Sequence, residues 1–136
     1  MNSPEVIHEI LASAKTIAVV GLSDNPSRAS FGVAQYMQRH GYRILPVNPG
    51  VESVLGEKSY ASLADLPVKP DVVNVFRLPK FVPAIVDEVI RLGIPYLWLQ
   101  LDIVHPEAIA KAEAAGVKVI ADRCILIEHR RMASEK

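Results

Sequence analysis

Very little in this chain could tie it together covalently or anchor it to a surface. One cysteine, Cys124, stands among 136 residues, so no internal disulfide can form, and that usage suits a reducing, cytoplasmic setting. No apolar run approaches the roughly 20 residues of a membrane span. The first residues, Met1 to Glu5, carry neither a positive leader nor a long apolar stretch, so no signal peptide is expected. Neither sign of charge is in surplus, because 15 Lys and Arg balance 15 Asp and Glu. Nucleic acid and anionic membranes both demand a basic excess, which makes them poor candidates for the main partner. No His/Cys cluster has the spacing of metal ligands, so no metal is expected. The chain also lacks a full G-x-G-x-x-G run, since Gly21 is followed by no other glycine until Gly32.

What is present is apolar and regularly punctuated. Half the residues are hydrophobic, enough for one packed core, and a single domain over 1–136 is expected. Ser3, Pro4 and Glu5 read as an N-cap, an N1 proline and an early acid, opening a first helix to about Ala14. Apolar strands follow at Thr16–Val20, Tyr42–Val47, Asp71–Phe76, Pro95–Leu101 and Val117–Ala121. Between them lie helices from about Ser30 to His40, from Pro79 or Pro83 to Leu92, from Pro106 to Ala115, and last from Cys124 to Met132. Gly41, Gly93 and Gly116 mark three helix ends. Residues 48–70 are irregular, with one helical turn at Ser62–Leu66. Strands that are apolar throughout are buried on both faces. The expected class is therefore α/β, a doubly wound parallel five-stranded sheet with helices on both faces. Right-handed crossovers suggest the order 3-2-1-4-5, with the Thr16–Val20 and Asp71–Phe76 strands as neighbours at the reversal. Pro46 argues that its strand lies at an edge or ends there.

Ligands of this architecture bind beyond the carboxyl ends of the strands, where three loops meet. The first is Gly21 to Ser30. Gly21 allows a tight turn and close approach of a phosphate. The amides that open the next helix have no partner inside it, so an anionic oxygen can take that place. Ser23, Ser27 and Ser30 add hydroxyls, and Arg28 adds a guanidinium fork. The same residues would also suit a plain turn, a helix cap and a solvated charge. The second loop is Val47, Asn48 and Pro49. An NAD enzyme usually places Asp or Glu here to hold the ribose hydroxyls, and Asn48 does not fit that role. An Asx turn with Pro49 is its alternative use. The third loop is Phe76 and Arg77. Arg77 can reach a phosphate, while Phe76 can pack on an adenine or a pantetheine arm, or simply in the core.

Candidate catalytic groups are few. Cys124 reads as a small buried apolar residue, and His129, five residues on along a helix, points too far round to activate it. His8 and His40 fall on helix surfaces. His105 precedes Pro106 at the functional edge, where it suits a helix cap. Ile125, Leu126 and Met132 could form a seam between copies, or pack on the sheet.

Taken together, Gly21 to Ser23, Ser27-Arg28, Tyr42 to Pro49, Leu55 to Glu57, Asp71 to Val73 with Val75 to Arg77, Trp98 to Leu101, and Asp122 to Cys124 with Ile127 to His129 resemble the small stand-alone CoA-binding domain proteins of bacteria. These in turn are similar to the CoA-binding domain of the succinyl-CoA synthetase alpha subunit. The resemblance runs from about Ile10 to Arg131. It implies a Rossmann-like fold whose three loops hold coenzyme A or an acyl-CoA, without catalysis of its own. Gly21, Ser23 and Arg28 would hold phosphate, Val47 and Asn48 would line the nucleotide or pantetheine, and Phe76 and Arg77 would close the other side. Leu22, Ser27, Ser30 and Pro49 complete the candidate set. Two positions depart from the family pattern: Asp102 stands where a small residue, usually Gly, is common, and Leu126 where Lys is common. Two other readings stay open, an NAD(P)-linked oxidoreductase fragment and an interaction domain with no small ligand. A homo-oligomer or a partner protein is compatible with either the leading reading or the last.

Overall fold

The computed structural model describes residues 2–135. Helix α1 (Pro4–Ser13) starts as its sequence dictates, with Ser3 Oγ accepting from the Val6 amide and Pro4 in the first turn. Strand β1 (Thr16–Val20) leads through a loop into α2 (Ala29–Arg39) and then β2 (Arg43–Val47). A two-stranded antiparallel hairpin, β3 (Ser53–Val54) and β4 (Glu57–Lys58), interrupts the alternation. After a 3-10 turn at Leu63–Asp65 come β5 (Val72–Val75), α3 (Val82–Leu92), β6 (Tyr96–Leu99), α4 (Pro106–Ala114), β7 (Lys118–Ile120) and α5 (Ile125–Ser134).

The main sheet is parallel throughout, in the order β2-β1-β5-β6-β7. This bears out the α/β class and the pairing of the first strand with the Val72–Val75 strand, which align Ile17 with Val72 and Val20 with Val75. The expected order 3-2-1-4-5 is corrected. Counting only the main sheet, the order is 2-1-3-4-5, and β2 is the edge strand, as Pro46 suggested. Beyond β2, among the described residues, the sheet gains only a single parallel bridge from Tyr60 to Val47, because the chain turns back there. Asn48 N donates to Tyr60 O, Tyr60 N donates to Pro46 O, and Ser59 Oγ donates to Asn48 O. Those bonds fold the segment into the small hairpin and return it across β1 to start β5.

Side chains alternate between two cores. Ala18, Val20, Val73, Val75, Leu97 and Leu99 point to the face covered by α3 and α4. Ile17, Val19, Val72 and Trp98 point to the face covered by α1, α2 and α5. Ile125 is buried in that second core with Met132 packed against it, so both pack inward rather than form a free seam. Trp98 is fully buried and its indole N–H donates to Arg123 O at 2.9 Å, the partner a buried indole needs.

At the amino ends of the strands, Asp71 accepts from the Lys15 and Thr16 amides at 2.7 and 3.1 Å, clamping the start of β5 to that of β1. Burial pushes its carboxyl up, but those amides and the Thr16 hydroxyl outweigh burial and hold the pKa below the ordinary Asp value. At the same end Glu9 accepts from Tyr96 Oη and Lys118 Nζ. Its pKa is lowered by the Tyr96 bond first and the Lys118 bond second.

Candidate functional site

The loop after β1 is built around Gly21. Its φ is 87°, and a Cβ there would lie 2.7 Å from Phe76 O. Glycine is therefore required both by the backbone turn and by the closeness of the neighbouring strand end. Gly21 N donates to Val47 O, and Phe76 N donates to Val20 O, so the three loops are laced together at the sheet edge. Ser30, buried in α2, does not cap its own helix. Its hydroxyl accepts from Ser23 N at 3.0 Å and closes the loop on itself. Ser23 Oγ accepts from Asn25 N, and Asn25 Oδ1 accepts from both the amide and the hydroxyl of Ser27. The helix begins at Ala29, with Arg28 as N-cap residue and no side chain bonded to its first amides.

Leu22, a candidate site residue, is fully buried, backbone included, and belongs to the core beneath the loop. Asn48 forms the Asx turn, with Oδ1 accepting from Gly50 N at 2.9 Å, and its Nδ2 donates to Leu22 O at 3.0 Å. Its carboxamide joins the first and second loops. Pro49 is exposed beside it. In the third loop Arg77 lays its guanidinium over the Phe81 ring, 4.0 Å from the centroid, a cation–π contact that fixes the side chain. Among the described residues, neither Arg28 nor Arg77 belongs to an ion pair.

Two clefts open here. The larger, about 580 Å³, lies over the carboxyl ends of β5 and β6 and is bounded by Ala29, Val33, Phe76, Arg77, Gln100 and Cys124, among others. The smaller, about 180 Å³, lies between Val20, Val47, Ser62, Leu63 and Glu88. Arg77 and Phe81 border both. Of the expected residues, Phe76 and Arg77 meet at the larger cleft and Val47 at the smaller one. Ser27 and Arg28 stand exposed at the helix start beside Ala29. The volume of the larger cleft falls in the range of small-molecule sites.

A model of the family described as "CoA binding domain" matches residues 15–130. The chain belongs to this family. As a CoA-binding domain protein it is 42% identical to the uncharacterized protein YneT of Bacillus subtilis, over 90% of this chain and 91% of YneT. It superimposes on the crystal structure of Prb, a PH1109 protein redesigned for binding, with a TM-score of 0.95 at 40% identity, covering 100% of this chain and 96% of that one. It is also 30% identical to acetate–CoA ligase [ADP-forming] II of Archaeoglobus fulgidus, over 59% of this chain but only 12% of the ligase.

Two residues of this CoA-binding domain were not singled out from sequence. Gln100 and Asn74 are polar side chains inside apolar runs, buried to 5% and 1% exposure. That interruption is the signal that could have found them. Cys124 is buried at the start of α5 and borders the larger cleft. His129 is turned away from it, with Nδ1 2.9 Å from Tyr36 Oη. His105 caps α4, its Nδ1 accepting from Ala108 N. The groups with displaced pKa values noted above, Asp71 and Glu9, lie at the opposite edge of the sheet and knit the fold. Among the described residues no helix is long and apolar enough to cross a membrane, and no group of three or more His, Cys, Asp or Glu could hold a metal ion.

Proposed function

We propose that this protein is a cytoplasmic binder of coenzyme A, and that it carries out no chemical step of its own. The diphosphate sits at the start of α2, on amides that no side chain caps, with Arg28 and Arg77 supplying charge from either side. The pantetheine arm runs from there into the larger cleft past Phe76. The observation that carries this reading is one juxtaposition: a helix start without a side-chain cap, whose first residue Ala29 borders a mainly apolar cleft that Arg77, a guanidinium in no ion pair among the described residues, also borders. Family membership points the same way. The ligase relative matches this chain over 12% of its own length, and we assign no ligase step to this chain.

Titration calorimetry with CoA, NAD and ATP tests the reading. CoA is expected to bind and NAD is not, because Asn48 leaves no carboxylate for the ribose. Arg77→Ala and Arg28→Ala should each weaken CoA about tenfold or more, the loss of one charge-assisted phosphate contact of about 1.5–3 kcal/mol. NAD binding without CoA binding would overturn the proposal.

A further inference from the structure

Gln100, a buried carboxamide on the border of the larger cleft, has a second buried carboxamide, Asn74, behind it, and hydrogen bonds fix the orientation of Gln100. The Ile125 amide donates to Gln100 at 3.0 Å, and an N–H can only donate, so the atom that receives it is Oε1. Asn74 Nδ2 donates to the same oxygen at 3.3 Å. The Gln100 NH2 is thereby directed away from α5, and it has no partner among the described residues. Gln100 borders the cleft, so a hydrogen-bond donor faces a mainly apolar space walled by Val33, Phe76, Leu78, Leu101 and Ile103, with Arg77 and Asp102 as the charged residues on its border. Asn74 Oδ1, behind it, is buried with no partner among the described residues. Leaving a polar atom in that condition costs stability, and in this arrangement the cost is incurred to hold Gln100 in one orientation. The apolar wall continues outward, with Leu78 64% and Leu101 52% exposed, more apolar surface than a closed pocket for the pantetheine thiol would need.

Resting on the reading that CoA binds here, we propose that the cleft is built for the acyl end of a short, uncharged acyl-CoA. The Gln100 Nε2 group donates to the thioester carbonyl, and the aliphatic chain lies against Val33, Leu101 and Ile103. Asp102, which also borders the cleft, disfavours an acyl group that ends in a carboxylate. The protein then discriminates between the charged and uncharged states of the acyl pool rather than sensing CoA alone.

Calorimetry on the full chain with CoA, acetyl-CoA, butyryl-CoA, succinyl-CoA and S-butyl-CoA, a thioether without the carbonyl, tests this directly. Each methylene buried should tighten binding roughly fourfold. Butyryl-CoA is expected to bind at least tenfold tighter than CoA, with S-butyl-CoA and succinyl-CoA in between or weaker. Gln100→Glu keeps the oxygen that caps α5 and replaces the donor with an acceptor. It should cut the butyryl-CoA to CoA affinity ratio at least fivefold, with folding checked by thermal melting. Equal or weaker binding of butyryl-CoA than of CoA overturns the proposal and leaves CoA binding intact. An unchanged ratio in Gln100→Glu also overturns it. Binding of none of the five would overturn the CoA reading, and this proposal with it.

Discussion

Gly21 and Asn74 are single residues whose chemistry fixes the site, and they do so in opposite ways. At Gly21 a methyl group would press on Phe76 O at 2.7 Å and force a left-handed backbone on a residue with a side chain. Gly21→Ala should destabilise the protein by about 2 kcal/mol or more, read as a lower urea midpoint, and should also weaken CoA binding by shifting the loop. Asn74 is costly where it stands. Asn74→Leu removes the orphaned oxygen and should stabilise the fold by about 1 kcal/mol, seen as a melting point raised by a few degrees, while lowering the butyryl-CoA to CoA affinity ratio because Gln100 loses its support. Gly21 was legible in the sequence, since a lone glycine after an apolar strand has few other uses. The role of Asn48 was only half legible. The Asx turn follows from Asn-Pro-Gly, but the bond from its amide to Leu22 O joins residues that only the folded chain brings together.

The strands and helices declare themselves because each strand is a short apolar run and each helix ends on a turn residue. The hairpin at Ser53–Lys58 was not legible: its strands are two residues long, too short for any alternation to register. The helix start at Ala29 agrees with the expected start near Ser30, but the Ser30 hydroxyl, which reads as a cap, accepts instead from Ser23 N. One element junction has a measurable pH signature. Asp71, whose pKa is held low by the amides of Lys15 and Thr16, stabilises the start of β5 while it is ionised. A lowered pKa in the folded state means that this contribution is complete above the ordinary Asp range and is lost as pH falls through the folded value. Asp71→Asn should therefore cost about 1 kcal/mol near pH 7, with the gap to the unaltered protein closing as the pH drops below about 4. Urea titrations at several pH values provide the check, and CoA affinity at pH 7 should not change, because the junction lies at the other edge of the sheet.

At the scale of the molecule, the candidate binding edge exists because β1 sits between β2 and β5, so that the crossovers on its two sides leave in opposite directions. The alternation of strands and helices implied such a reversal, and the position of the first and third main strands as neighbours was correctly read from it. The outward order was not, because the turn-back at Asn48 and Tyr60 depends on backbone pairing that no side-chain pattern announces. The stacked Arg77 and Phe81 pair has a consequence for what can dwell at that edge. The pair borders both clefts and so stands as a partition between two rooms. A molecule filling both has to arch over this wall, and either half of such a molecule can lodge without the other. Adenosine 3′,5′-diphosphate and pantetheine, offered together, should saturate the protein independently rather than compete, as mutual displacement measured by NMR would reveal. Removing the wall with Phe81→Ala should merge the rooms and make the two fragments rivals.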